Sequence, residues 1–254
     1  MTVPSGGGRP GARPPGGHAA VDPLRHERVL GRLRFALSGG RDLAPTAPGA
    51  DAARALVAGR LGVAVDRFLL PRQVHSDRVL AVDGAWDGDA PEADGLLVRR
   101  PGTAVGVLAA DCMPLLLGDP AVGVAAAVHV GRAGLHLGIA GVAVAALAAA
   151  GATSLVAVVG PTVCGRCYEV PEEMRDRLAS VVPAAAATTR AGTPSVDIPA
   201  GVRSQLAAAS ARTAVPVQVD EAWSTCTVED PDSFSHRRDA PTGRHAAVVV
   251  VTDP

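Results

Sequence analysis

Apolar residues fall in short blocks divided by Gly, Pro and Asp, and the spacing inside each block predicts its element. Residues 29–37 read as a first strand, and residues 38–50 as a Gly/Pro-rich loop. Residues 51–61 open on Asp, are rich in alanine and stop at Gly62, which are helix signals. Residues 72–82 alternate and run into the Gly/Asp-rich residues 83–94, predicting a strand and an exposed turn. Residues 104–108, 115–117 and 122–130 predict further strands, with Ala109-Ala110-Asp111-Cys112 between the first two. Residues 135–150 predict a buried alanine-rich helix, and residues 155–159 a buried strand after a turn. A short amphipathic helix is expected at 171–182, a long loop at 183–194, and β-branched strands at 215–219 and 246–251. Strands and helices alternate without regular βαβ spacing, so the pattern predicts one mixed α and β domain over residues 26–254.

Composition narrows the class. The 254 residues carry 24 basic and 25 acidic side chains, a net charge of −1, which argues against a nucleic-acid partner. All the basic residues are arginine. Without lysine there is no P-loop amine and no Schiff base for pyridoxal phosphate. Apolar residues make up 48% but aromatics only 2%, so Ala, Val and Leu must fill the core, and base stacking or an aromatic membrane belt is poorly supported. The uncharged stretch between Arg132 and Arg166 is no membrane span, because its apolar part is mostly alanine and shorter than the roughly 20 residues required. Residues 1–25, rich in Gly, Pro and Arg, lack the apolar run of a leader and are expected as a disordered tail. Four cysteines are too few for a disulfide scaffold of this size, which suggests a reducing cytoplasm.

Three apolar blocks carry a polar residue that a packed core would not choose: His75, Cys112 and His129. They are too far apart for a local zinc finger and would have to converge through the fold. Two imidazoles and a thiolate suit a catalytic zinc with an open fourth position, and Asp111 and Asp119 are carboxylates that could orient an imidazole or accept a proton. On spacing alone, plain packing of Cys112 and core or rim roles for the histidines remain open. Cys164 and Cys167 form a CxxC with no second CxxC, readable as a redox pair, half a zinc site or a simple loop; Cys226 reads as packing. All three are expected to be dispensable for metal binding. Arg237 and Arg238 are adjacent guanidiniums that could clamp phosphate or simply be solvated. Gly131 to Gly138 is either an anion-binding helix start or a tight strand-to-helix turn.

Six strings resemble the YfiH-like family, described as polyphenol oxidoreductase laccases and as purine nucleoside phosphorylases. They are Gln73-Val74-His75, Ala93-Asp94-Gly95-Leu96, Ala110-Asp111-Cys112, His129-Val130-Gly131, Gly160-Pro161 with Cys167-Tyr168-Glu169-Val170, and Arg237-Arg238-Asp239. The resemblance implies an α-β-β-α four-layer sandwich of the α+β class with mixed sheets. It implies a metal held by His75, Cys112 and His129, and phosphorolysis of adenosine, inosine, guanosine or methylthioadenosine with adenosine deamination as a second activity. On this reading Cys112, Asp111 and Arg238 are candidate catalytic residues, Arg237 and Arg238 candidate substrate-binding residues, and zinc the expected cofactor. The partners are then a purine nucleoside and phosphate, with no nucleic acid or membrane, and the chain is expected as a cytoplasmic monomer.

Two other readings stay open. Two histidines, a cysteine and the neighbouring Met113 suit copper, and hence a polyphenol oxidase. The resemblance also implies an editing role in cell-wall precursor synthesis, and the fold could serve a non-catalytic partner, because the N-terminal third matches the family only faintly.

Overall fold

The computed structural model describes residues 22–253 except residue 41. The expected tail therefore lies outside the described residues up to residue 21, while Leu24 and Arg25 already begin the first strand. In chain order the elements begin with β1 (Leu24–Leu30), β2 (Leu33–Ser38), α1 (Ala50–Leu61), β3 (Phe68–Leu69), β4 (Val79–Val82) and β5 (Gly95–Val98). There follow β6 (Thr103–Ala109), β7 (Met113–Asp119), β8 (Val124–Val130), α2 (Arg132–Leu137), α3 (Ile139–Ala149) and β9 (Leu155–Val159). The chain continues through α4 (Glu172–Ala179), β10 (Ala186–Thr188), β11 (Pro194–Val196) and α5 (Ile198–Thr213). It closes with β12 (Val217–Asp220), α6 (His236–Asp239) and β13 (His245–Val251).

A five-stranded sheet has the order β1-β2-β13-β6-β3 and a six-stranded sheet the order β12-β9-β7-β8-β5-β4, with both parallel and antiparallel neighbours. Strand periodicity shows how they stack. In β13, Ala247, Val249 and Val251 join the apolar layer between the sheets, while Ala246, Val248 and Val250 pack outward under α1. In β8, Ala125 and Ala127 face inward, and Ala126, Val128 and Val130 face the layer of α3 and α5. With both faces covered, every residue of β6, β7, β8 and β13 is buried, which is why these strands read as continuous apolar runs. The architecture is the expected α-β-β-α sandwich.

Four local expectations are corrected. Residues 29–37 are not one strand but parts of a β1–β2 hairpin turning at Gly31, whose φ of 47° few other residues adopt. The helix expected at 135–150 breaks at Gly138, whose φ of 87° caps α2 before α3 begins. The loop expected at 183–194 contains β10, which pairs with β11. Only the last four residues of the strand expected at 72–82 are β4, because the preceding amides are bound elsewhere.

Candidate metal centre at one end of the sandwich

At one end of the sandwich the chain crosses repeatedly from sheet to sheet, and these crossings bring the three candidate ligands together. β3 lies in one sheet and β4 in the other, and His75 sits on the link between them. β6 crosses to β7 through Ala110-Asp111-Cys112 alone. His129 shares the inward face of β8 with Ala125 and Ala127, one residue from the strand's end. The donor atoms of His75, Cys112 and His129 all lie within 4.8 Å of one another. The Cys112 Sγ is 3.9 Å from His75 Nε2, and the two imidazole rings are edge to face at 4.9 Å. Gly131 leaves the room they need: a Cβ there would lie 2.7 Å from His75 Cδ2 and 3.1 Å from Cys112 Sγ.

Asp94 organises two of the three donors. Buried at the start of β5, its carboxylate accepts the amides of Val74, His75 and Ser76 at 3.1, 3.0 and 2.6 Å, and the Ser76 hydroxyl at 2.8 Å. These three amides are thereby withdrawn from the strand expected there. The same carboxylate lies 2.8 Å from His129 Nδ1, leaving the opposite ring nitrogen to face Cys112. Burial opposes the charge on Asp94, but the hydrogen bonds from His129 and Ser76 prevail and hold its carboxyl well below the usual range. For His129, burial is likewise outweighed by Asp94 and Cys112, and its pKa rises to about 9. Burial disfavours the Cys112 thiolate, yet hydrogen bonds from His129 and His75 bring the thiol down to about 6.

His75 and Asp111 both adopt left-handed backbone, with φ of 60° and 79°. Such strain costs of order 1–2 kcal/mol for a non-glycine residue and persists only where several contacts fix it. Asp94 fixes His75. Asp111 is held by its carboxylate, which accepts the Thr227 hydroxyl at 2.6 Å and the Arg237 amide at 2.7 Å, and by its carbonyl, which accepts the Val163 amide and the Thr162 hydroxyl.

The three candidates open into a cleft of about 750 Å³, also lined by Gln73, Asp111, Tyr168, Arg237 and Arg244. Gln73 anchors one wall by pairing its amide group with both the N–H and the C=O of Leu108, each at 2.8 Å. The Arg237 guanidinium stacks over the Tyr168 ring, 5.0 Å from its centroid. Arg238, expected beside it as a clamp, turns away and donates to the carbonyls of Thr227, Asp230 and Ser233 at 2.8, 2.9 and 2.7 Å. Asp119 lies at the far end of β7, accepting amides of Ala121, Val122, Thr153 and Ser154. Met113 is buried in the layer beneath α2 and α3 and does not line the cleft. Residues 131–138 form the tight turn and the short helix α2. Asp94, Gln73 and Tyr168 were the residues that sequence reasoning did not single out, although each lies in one of the recognised strings.

A family model described as multi-copper polyphenol oxidoreductase laccase matches residues 48–252, most of the chain. The chain belongs to this YfiH-like family. Among YfiH-like relatives, a protein of Streptomyces coelicolor named purine nucleoside phosphorylase is 48% identical over 207 residues, covering 80% of this chain and 83% of the relative. One of Streptomyces griseus with the same name is 46% identical over 209 residues, covering 81% and 82%. YlmD from Geobacillus stearothermophilus has the same fold, with a TM-score of 0.77 at 23% identity over 92% of this chain and 100% of its own. Bacillus licheniformis YfiH superposes with a TM-score of 0.72 at 22% identity, over 87% and 93%. Among the described residues, no helix is long and apolar enough to cross a membrane.

Proposed function

We propose that this chain is a zinc-dependent purine nucleoside phosphorylase acting on adenosine, inosine, guanosine or methylthioadenosine, with adenosine deamination as a second activity of the same site. The observation that carries the reading is the gathering of His75, Cys112 and His129 at the floor of a cleft whose wall bears Arg237. It is supported by the shared name of relatives up to 48% identical.

The donor set fits zinc. Two imidazoles and one thiolate leave a fourth position open, and Asp94 fixes the His129 ring so that its free nitrogen faces the other donors. Zinc bound there would supply a positive centre that favours an anionic oxygen at neutral pH.

The chain's own groups do the positioning. A cleft of this size holds a nucleoside. Arg237 offers phosphate a planar fork of donors, kept in place by its Tyr168 stack and by Asp111 on its amide. In phosphorolysis a phosphate oxygen bonds to the anomeric carbon as the bond to the purine nitrogen breaks, and the base leaves with that electron pair and takes a proton. Asp111 lines the cleft and is the candidate group to hold such a proton, with Cys112 beside it.

Copper chemistry finds less support: the two donor groups among the described residues together contain only two histidines, and Met113 does not face the site. The test is release of free base from each nucleoside, with and without phosphate, using protein of measured metal content. Phosphate-dependent formation of ribose 1-phosphate is expected. Base release indifferent to phosphate would instead indicate a hydrolase, and ammonia alone a deaminase.

A further inference from the structure

A second group of metal-type donors lies outside the cleft. The Sγ atoms of Cys164, Cys167 and Cys226 and a carboxylate oxygen of Glu229 all stand within 4.8 Å of one another. The CxxC is wound into a tight turn, with the amides of Cys167 and Tyr168 both donating to the Cys164 carbonyl at 2.9 and 3.0 Å. Cys226 reaches it from a segment distant in sequence, through a parallel bridge to Thr162. A second turn on the Cys226 carbonyl, closed by the amides of Glu229 and Asp230, then swings Glu229 to 3.2 Å from Cys167 Sγ. The CxxC, which has no second CxxC in sequence, thus receives two partners from the fold, one of them the Cys226 that was expected only to pack.

We propose that Cys164, Cys167, Cys226 and Glu229 form a second, structural zinc site. Three thiolates and one carboxylate from two segments make a closed four-donor set, which distinguishes a structural site from one that keeps a position for substrate. The charges also suit a divalent cation. Fully ionised, the group carries four negative charges; zinc would remove two, and Arg190, which pairs with Glu229, a third. All four cysteines carry free thiols, so nothing covalent competes for the sulfurs.

The site's place in the fold gives it a task. Thr227, next to Cys226, donates to Asp111, and Arg238 draws the carbonyls of Thr227, Asp230 and Ser233 around itself one residue from Arg237. Tyr168 immediately follows Cys167. A metal here would fasten the segment bearing Tyr168 to the segment that positions Arg237, so one wall of the cleft would be held by an ion that never meets substrate. This goes beyond the proposed phosphorylase activity and does not depend on it.

The experiment removes the first site to see the second. The triple variant His75→Ala/Cys112→Ser/His129→Ala, loaded with zinc and passed over a desalting column, is expected to keep one zinc per chain by elemental analysis. Its cobalt-substituted form should show an intense near-ultraviolet band from thiolate ligation. Adding Cys226→Ser to this variant should lower zinc affinity by at least about a hundredfold in a chelator competition and abolish the band, and Glu229→Gln should lower affinity about tenfold or more. A folded triple variant that holds no zinc overturns the proposal. So does recovery of Cys164 and Cys167 as a disulfide in protein prepared with zinc and reductant, which would make the group a redox pair. If the triple variant does not fold, Cys112→Ser alone serves, and one zinc retained in it but lost on adding Cys226→Ser is the expected result; zinc indifferent to Cys226→Ser overturns the assignment.

Discussion

Acidification should destabilise the protein through His245, the first residue of β13. Its side chain is 3% exposed, and its Nε2 accepts the Phe234 amide at 2.9 Å, so the imidazole is built in as a neutral acceptor. Burial first, and then the nearby Arg25, push its pKa down from 6.5 to about 4, against a weaker opposing pull from the Ser38 and Gly39 backbone and Asp230. The unfolded chain takes up this proton near pH 6.5 and the folded chain only near pH 4. The stabilisation is therefore fully present above pH 6.5 and lost as pH falls through that window. Integrated over the shift, the loss approaches about 3 kcal/mol, of which about 2 kcal/mol has gone by pH 5. Urea unfolding of the wild type and His245→Gln at pH 7 and pH 5 isolates this group, because other titrations cancel in the comparison. Glutamine keeps an acceptor for the Phe234 amide but cannot be protonated. The wild type should lose about 2 kcal/mol more than the variant between the two pH values. Equal losses would refute the reasoning and mean that the buried imidazole is already charged or hydrated in the folded state.

Three further substitutions test the floor of the cleft and separate two adjacent arginines that look equivalent in sequence. Gly131→Ala places a Cβ 2.7 Å from the His75 ring, so circular dichroism should be unchanged while metal affinity at the cleft falls at least about tenfold; full affinity would mean that the His75 loop yields easily. Arg238→Ala removes a charged donor shared by three carbonyls and should lower the midpoint of urea unfolding. Arg237→Ala should leave stability within about 0.5 kcal/mol and raise the KM for phosphate; the reverse pattern would exchange their roles.

What the sequence made legible was whatever depends on local pattern. The apolar runs of β6, β7, β8 and β13 were visible because both their faces are buried, and α1 was visible from its Asp51 start and Gly62 stop. The helix α5 escaped notice: its buried positions Ile198, Gly201, Val202, Leu206 and Ala209 follow helical spacing, but alanine and glycine on both faces blunt the contrast. Residues 72–78 alternate like a strand, yet the Asp94 carboxylate takes the amides of Val74, His75 and Ser76, and no periodicity reports that. The same limit applies to the site. The metal trio could be named from residue type and string, whereas the role of Asp94, the divergence of Arg237 from Arg238 and the meeting of Cys226 with the CxxC exist only once distant segments are brought together.

The position of β13 bears on how the molecule can be made. This strand lies in the middle of the five-stranded sheet, between β2 and β6, although it is the last of the described strands in sequence. Until residues 245–251 have left the ribosome, β2 and β6 have no shared neighbour, and the inward face of the six-stranded sheet has only half a cover. This sheet can close only once β13 has been made, and it does so through contacts of long sequence separation, a topology that folds slowly. A nascent chain released early would expose two unpaired edges rich in Leu, Val and Ala, which makes truncated products natural clients for chaperones and proteases rather than tolerated fragments.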